Sequence, residues 1–173
     1  MVYGRRHWGQ EWQQIVFSDE SRFCLFENDG RILIRRRQGE RHHIHCTRTK
    51  HTAPTQGLMV WGAIGYNHKS QLVRVQTTVT SLTYVNDILR PVAIPFLHDT
   101  PDAIFQQNNA RPHVSARTRA FLLSQDVRLL PWPARSPELS PIENVWDMVK
   151  RRVRRCDPMP TTKDELWNQV NAA

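Results

Sequence analysis

Short apolar stretches dominate the first half of the chain, and their spacing predicts β-strands. Residues 14–19 are β-branched and aromatic and end on the carboxylate of Asp19, as a buried strand would. Residues 57–64 form the most apolar stretch and predict a central strand. Further strands are predicted at 22–26 and 31–35, joined by a tight turn at 28–30, and at 71–75, whereas the basic stretch 36–55 predicts a long loop.

The second half of the chain alternates helical and strand patterns. Residues 81–97 have a helical composition that Pro91 and Pro95 are expected to interrupt. From Ser140 onward an amphipathic helix is predicted, because apolar residues recur at the helical period: Ile142, Val145, Trp146, Val149 and Val153. Shorter elements are predicted as strands at 103–106 and 127–130, a helix at 115–124 capped by Ser115, and a helix at 164–173. This order predicts an α/β domain around one mixed sheet.

Length and composition fit one globular domain. The chain has 173 residues, 39% apolar and 23% charged, which excludes a disordered tail and a membrane protein. Its apolar runs are too short for a transmembrane helix, and residues 1–14 form a polar lead-in rather than a signal peptide. We expect one domain over 15–156. The segment 157–173 ends inside a predicted helix, so we expect it to be truncated.

Positive charge is in excess. Lys and Arg number 24 against 16 Asp and Glu, which gives a net charge of +8 and favours a polyanionic partner such as nucleic acid. Three scattered cysteines fit a reducing compartment, and we expect the nucleus, or the cytosol before import. Residues 42–46 are rich in His and include Cys46, but without a second ligand pair they predict a basic loop rather than a zinc site.

Three polar residues lie at the ends of predicted elements that meet at one edge of the sheet. Asp19 ends the first strand, Asn108 follows a later strand, and Glu143 lies in the first turn of the amphipathic helix. Two carboxylates and an amide oxygen could hold a hard cation such as Mg²⁺. Each also has a structural interpretation: Asp19 could pair with an arginine, Asn108 could form a turn, and Glu143 could close a capping box with Ser140. Spacing alone leaves both interpretations open.

Four stretches stand out together: FSDES at 17–21, MVWG at 59–62, FQQNNARPH at 105–113, and WP with SPELSPIENVW within 132–146. In this order they resemble the catalytic domain of the mariner-like DNA transposases, which carry a DDE triad. The resemblance covers about 15–155 and implies a ribonuclease H-like fold, a mixed central sheet flanked by helices. By position it implies that Asp19 and Glu143 are the first and last acids of the triad. Asn108 stands where the second acid is expected, with 34 residues between it and Glu143.

The resemblance also implies a chemistry, in which Mg²⁺ or Mn²⁺ ions held by Asp19, Asn108 and Glu143 support DNA cleavage and strand transfer. Asn108 keeps a similar shape without the negative charge, so we expect weaker metal binding and impaired catalysis. The asparagine marks either a decayed genomic copy of the transposase or a substitution made deliberately to trap a complex with DNA. The alternative function is a non-catalytic nucleic-acid-binding module with the same fold. An integrase-like nuclease is a further rival, which the motifs at 132–137 disfavour.

Two basic clusters are candidates for contacts to the phosphate backbone of DNA. They are Lys150, Arg151 and Arg154 at the end of the amphipathic helix, and Arg35, Arg36 and Arg37. The second cluster lacks a base-reading pattern, so its contacts are expected to be salt-sensitive and independent of sequence. A solvated helix face or a nuclear-localisation run explains the first cluster equally well.

Residues beside the triad positions receive supporting roles. His113 and Asn109 are candidates for the shell around the metal ligands, and packing at a helix start is an equal alternative for His113. Only eighteen residues precede Asp19, so the paired helix-turn-helix modules of the family are expected to be absent and recognition of transposon ends is not expected. The family resemblance is compatible with a homodimer and gives no reason to expect a membrane partner.

Overall fold

The computed structural model describes residues 9–25, 56–76, 78–133 and 136–173. Over these residues the centre of the protein is a five-stranded sheet with the strand order β3-β2-β1-β4-β5. The strands are β1 (Ile15–Cys24), β2 (Gly57–Ile64), β3 (Val73–Val75), β4 (Ile104–Gln106) and β5 (Arg128–Leu129). β1 runs antiparallel to β2 and β2 to β3, whereas β4 lies parallel to β1 and to β5. The predicted mixed sheet is confirmed.

Strand β1 differs from the prediction, because one continuous strand replaces the two expected at 14–19 and 22–26. It pairs with β2 without a break over eight residue pairs, since the backbone ladder does not depend on side-chain polarity. Asp19 therefore lies in the middle of β1, opposite Gly62, and not at the carboxyl end of a strand. The predicted hairpin strand 31–35 and loop 36–55 lie outside the described residues.

The helical stretch after β3 is also longer than predicted. It consists of α1 (Ser81–Thr83), a π-helical segment (Tyr84–Ala93) and α2 (Ile94–His98), which follow one another directly. Pro91 lies inside the π-helical segment instead of ending it, and the Ile94 amide donates to the Leu89 carbonyl five residues earlier. Because the hydrogen bonds of this segment have shifted from the α-helical pattern, the chain continues past both prolines.

The remaining helices are a 3₁₀ helix (Gln10–Gln14), α3 (Arg111–Val114), α4 (Ala116–Ser124), a 3₁₀ turn (Pro137–Leu139), α5 (Pro141–Val153) and α6 (Lys163–Ala172). The helices α4, α5 and α6 were predicted, whereas α3 and the two 3₁₀ segments were not. The predicted cap of α4 is confirmed, since the Ser115 side chain accepts a hydrogen bond from the Thr118 amide. None of the described helices is long and apolar enough to cross a membrane.

Apolar side chains form a core on each face of the sheet. One core joins Ile15, Phe17 and Phe23 of β1 to Ile142, Trp146 and Val153 of α5 and to Leu166 and Val170 of α6. The other joins Val16, Trp61 and Phe105 to Tyr84, Ile88 and Leu122 of the helices on the opposite side. Because side chains alternate along a strand, Asp19 shares the face that α5 covers, and Glu20 shares the opposite face.

Candidate active site

The three residues predicted to converge do lie around one pocket. Asp19 reaches it from the middle of β1, Asn108 from the turn after β4, and Glu143 from the first turn of α5. The pocket has a volume of about 130 Å³ and lies on the face of the sheet that α5 covers. The geometry thus brings the predicted set together, and the catalytic role of these residues stays a prediction.

Asn108 has a fixed orientation in this pocket. Its Oδ1 accepts a hydrogen bond of 2.9 Å from the Ala110 amide, which is a turn-forming contact. Its Nδ2 donates to Asp19 Oδ1 at 3.3 Å. The amide therefore presents its NH₂ group to the carboxylate and its oxygen to the backbone. Asn108 is thus the turn residue that the structural interpretation expected, and it also lines the pocket, while its role as a metal ligand stays a prediction.

Asp19 lies in an environment that disfavours its negative charge. Burial is the main cause, followed by the charges of Glu143 and Glu20, and together they raise the pKa of Asp19 from 3.8 to about 6. Hydrogen bonds from the Glu20 amide and from Asn108 act in the opposite direction. The causes of this shift include no basic side chain among the described residues, so the predicted alternative of an arginine partner is not observed there.

Glu143 does not form the capping box that the sequence allowed. Ser140 is the N-cap of α5, but its side chain makes no capping hydrogen bond. Its buried Oγ has no hydrogen-bond partner among the described residues. The carboxylate of Glu143 is exposed at the helix start, where it acts on the pKa of Asp19. Glu143 therefore belongs to the electrostatics of the pocket and is not a helix cap.

The pocket residues fit a hard divalent cation. Asp19 and Glu143 supply two carboxylates whose mutual repulsion a cation would relieve. Gln106 Oε1 and Ser140 Oγ, on two buried pocket residues, lack hydrogen-bond partners among the described atoms. Oxygens of this kind suit metal-bound water. No cluster of three or more Asp, Glu, His or Cys residues that could hold a metal occurs in the described part of the chain, so these two carboxylates would be the anionic ligands.

The wall of the pocket is held by Asn109 and Trp132. Asn109 Nδ2 donates to the Trp132 carbonyl at 3.0 Å. The Trp132 ring packs edge-on against Phe17, with ring centroids 6.0 Å apart. Asn109 thus supports the pocket from its rim by holding Trp132, and its predicted place in the shell around metal ligands stays a prediction.

His113 lies outside this pocket, contrary to the predicted position near the metal ligands. It is buried on the opposite face of the sheet, where its Nε2 is 3.0 Å from Glu20 Oε1. Its ring stacks on the ring of Tyr84 at 4.2 Å. Glu20 follows Asp19 along β1, so its side chain points away from the pocket. His113 contacts Glu20 and therefore lies on that opposite face as well. The helix-start alternative fits, since His113 belongs to the short helix α3.

The basic residues of α5 extend away from the pocket. Lys150 Nζ lies 5.7 Å from the centroid of the Phe23 ring, and Arg151 donates to the Asp147 carbonyl. Arg154 is exposed directly after the helix. At ~1.5 Å per residue, the stripe from Glu143 to Arg154 is about 16 Å long. Arg35, Arg36 and Arg37 lie outside the described residues.

Sequence reasoning assigned no role to several polar residues around the site. Gln106 and Ser140 line the pocket, while Glu20, Tyr84 and Gln107 form a buried group on the other face. The alternation of side chains along β4 would have predicted that Gln106 faces the same pocket as Asp19. Tyr84 carried no local signal, because its contacts come from residues far away in the sequence.

A mixed sheet of this strand order, with acidic residues contributed by its central strand and by a packed helix, defines a ribonuclease H-like domain. Residues 14–166 match the family model described as DDE superfamily endonuclease. The chain belongs to this superfamily, as a catalytic domain of the Tc1/mariner transposase type. The resemblance found in the sequence is confirmed.

One curated relative agrees with this family, and two solved structures agree with this fold. The Tc1 transposase of Caenorhabditis elegans is 36% identical over 172 residues, which cover 96% of this chain and 61% of that protein. The Mos1 transposase paired-end complex with the left transposon end has a TM-score of 0.66 at 16% identity, covering 99% of this chain and 49% of that one. The Mos1 catalytic domain with raltegravir and Mg has a TM-score of 0.59 at 15% identity, covering 99% and 74%. The chain thus spans 61% of the Tc1 transposase and 49% of the Mos1 chain in the paired-end complex.

Proposed function

We propose that this chain supplies the DNA-cleaving and strand-transfer site of a Tc1/mariner-type transposase, and that Asn108 impairs it. The observation that carries the proposal is the pocket shared by Asp19, Asn108 and Glu143. Family membership supports the reaction class, and the Mos1 structures with a transposon end and with Mg support DNA as the substrate and a divalent metal as the cofactor.

Asp19 and Glu143 would hold the cation. When bound, Mg²⁺ or Mn²⁺ supplies activation of the attacking oxygen and stabilisation of the leaving oxygen. Asp19 must be deprotonated to serve as a ligand, and its burial beside Glu143 opposes this until a cation compensates the charge. Gln106 and Ser140 would hold water at the pocket wall.

Asn108 impairs this arrangement in two ways. It contributes no negative charge, so two carboxylates instead of three would hold a cation. It also donates its NH₂ group to Asp19, and that hydrogen bond competes with a cation for the same carboxylate. Both effects reduce metal affinity, and neither disturbs the fold.

Cleavage of a DNA duplex in Mg²⁺ or Mn²⁺ tests the proposal. The variant Asn108→Asp should nick the duplex about 10²- to 10⁴-fold faster than the unchanged chain. The double variant Asn108→Asp with Glu143→Gln is the matched control and should lose this gain. Equal rates for the unchanged chain and Asn108→Asp would contradict the role of position 108.

A second candidate function is DNA binding without catalysis. The observation in its favour is the Asn108–Asp19 hydrogen bond, which gives Asp19 a partner without any metal. This candidate expects DNA affinity that is unchanged by Mg²⁺ and by the substitution Glu143→Gln. A Mg²⁺-dependent affinity that Glu143→Gln abolishes would exclude it.

A further inference from the structure

Asp19 and Asn108 lie beyond the backbone ladder that joins their strands. The parallel ladder between β1 and β4 ends at the pair Phe17↔Gln106, and the chain after Gln106 leaves the sheet. No backbone hydrogen bond between these two strands therefore fixes the separation of Asp19 from Asn108 among the described pairs. Side-chain contacts must set it instead.

A buried group of four residues on the opposite face supplies such contacts, and we call Glu20, Tyr84, Gln107 and His113 the buried clamp. The Tyr84 hydroxyl donates to Gln107 Oε1 at 2.9 Å, and Gln107 Nε2 donates to the His113 carbonyl at 3.2 Å. The imidazole of His113 reaches the Glu20 carboxylate at 3.0 Å and stacks on the Tyr84 ring. The contacts form one connected chain from Glu20 to Gln107.

Two members of the buried clamp are sequence neighbours of pocket residues. Glu20 directly follows Asp19, and Gln107 directly precedes Asn108. Neighbouring residues of an extended chain point to opposite faces, so the clamp holds from behind the two segments that present the pocket side chains. Ser18 adds a further contact between the same two segments, because its hydroxyl donates to the Gln106 carbonyl at 2.9 Å.

Stability alone is a poor explanation for these residue types. Tyr84 is fully buried, only 3% of His113 is exposed, and the side chain of Glu20 is 14% exposed. His113 Nδ1 is buried without a hydrogen-bond partner among the described residues. Apolar residues of similar volume stabilise a core at least as well as a buried polar group that is incompletely satisfied.

We propose that the buried clamp is a positioning network that sets the spacing between Asp19 and residue 108 across the sheet. Its members touch no reacting atom, so they are positioning residues and act through the two pocket side chains. The proposal rests on the proposed function for its purpose, since the spacing matters for cation binding. The effect of the clamp on the Asn108–Asp19 hydrogen bond can be measured without metal and without an activity assay.

The substitution Tyr84→Phe tests this control, because it removes only the hydroxyl bonded to Gln107 and keeps the ring that packs on His113. NMR of the Asn108 side-chain NH₂ group reports the bond to Asp19 directly. In the single variant Tyr84→Phe, which keeps Asn108, we expect shifted Asn108 side-chain resonances. We also expect the exchange rate of the Asn108 NH₂ protons with water to rise about threefold to tenfold. Gln107→Met breaks the same bond from its other end and should have the same effect. The double variant should add little to either single change.

Ile88→Val is the matched control. Ile88 is buried in the same cluster as Tyr84 but makes none of the side-chain hydrogen bonds of the clamp, so its truncation disturbs the core without removing one of those bonds. This control should leave the Asn108 resonances in place. Unchanged resonances in both Tyr84→Phe and Gln107→Met, or an equal change in Ile88→Val, would overturn the proposal.

A second measurement separates this proposal from the proposed function. In the Asn108→Asp protein, Tyr84→Phe should weaken Mn²⁺ binding about threefold to tenfold in calorimetry. If Asn108→Asp binds no Mn²⁺ at all, the proposed function fails, and the NMR result still decides the clamp. If Asn108→Asp binds Mn²⁺ and Tyr84→Phe leaves its affinity unchanged, the clamp proposal fails.

Discussion

At the scale of single residues, negative charge is concentrated at Asp19 without a basic partner among the described residues. Burial and the nearby Glu143 raise its pKa, so the metal-free protein is held in an electrostatically unfavourable state. Binding sites often have this property, because the ligand supplies the missing compensation.

The substitution Asp19→Asn should stabilise the metal-free protein at pH 8 and have little effect near pH 4. The pKa of Asp19 is about 6 in the fold against an ordinary 3.8, so the folded protein binds this proton more tightly than the unfolded chain. The stability that Asp19 contributes is present below pH 4 and is lost as the pH rises through 6. At pH 8 we expect a gain of about 1–2 kcal/mol in the free energy of unfolding by urea.

Asp147→Asn provides the comparison, since it removes one exposed carboxylate from α5. Its effect on the free energy of unfolding should stay within about 0.5 kcal/mol. An Asp19→Asn effect that is the same at both pH values would contradict the assigned environment of Asp19.

Gln106→Met should change stability and metal binding in opposite directions. Gln106 Oε1 is buried without a hydrogen-bond partner in the described part of the chain, so removing it should stabilise the metal-free protein by about 1 kcal/mol. If that oxygen holds metal-bound water, the same change in the Asn108→Asp protein should weaken Mn²⁺ binding about tenfold. Thermal unfolding and calorimetry measure the two effects. Gln169→Met on α6 removes another buried oxygen that has no hydrogen-bond partner among the residues described, and it should leave Mn²⁺ affinity unchanged.

At the scale of secondary-structure elements, the sequence predicts what depends on local pattern. The strand at 57–64 and the apolar stripe of α5 were predicted because hydrophobic periodicity identifies them directly. The continuous strand β1 was missed because its polar centre resembles a turn, although pairing with β2 carries the ladder through it. The π-helical segment was missed because Pro91 ordinarily ends a helix, and packing of Tyr84 and its neighbours outweighs that preference here.

The basic end of α5 is the element from which we expect DNA contacts. Changing Lys150, Arg151 and Arg154 together to Gln should weaken binding to a DNA duplex. It should also reduce the slope of log Kd against log salt concentration by about 2–3, because each lost phosphate contact removes about 0.9 from that slope. Fluorescence anisotropy over a series of salt concentrations measures both quantities.

The matched control removes the same charge from another part of the surface. Arg117 and Arg119 are exposed on α4 and Arg128 on β5. Changing these three to Gln should leave the salt slope closer to that of the unchanged chain. Equal losses in both triple variants would show that only net charge matters and that α5 has no special role.

At the scale of the whole molecule, the central sheet separates two layers of polar contacts. The pocket lies on the face covered by α5, and the buried clamp lies on the face covered by the π-helical segment. The order of the elements and the family motifs predicted that Asp19, Asn108 and Glu143 lie together, as they do in the pocket. It did not reveal the Asn108–Asp19 bond or the Glu20–His113 contact of the buried clamp, because these depend on side-chain orientations between residues 89 and 93 positions apart.

The most direct test of the account is Mn²⁺ binding measured by calorimetry on three proteins. These are the unchanged chain, Asn108→Asp, and Asn108→Asp combined with Glu143→Gln. We expect Asn108→Asp to bind at least about tenfold more tightly than the unchanged chain, and the double variant to lose that gain, because Asp19, residue 108 and Glu143 act as one site. Equal affinities for all three proteins would contradict the central claim that one substitution at position 108 impairs an otherwise assembled metal site.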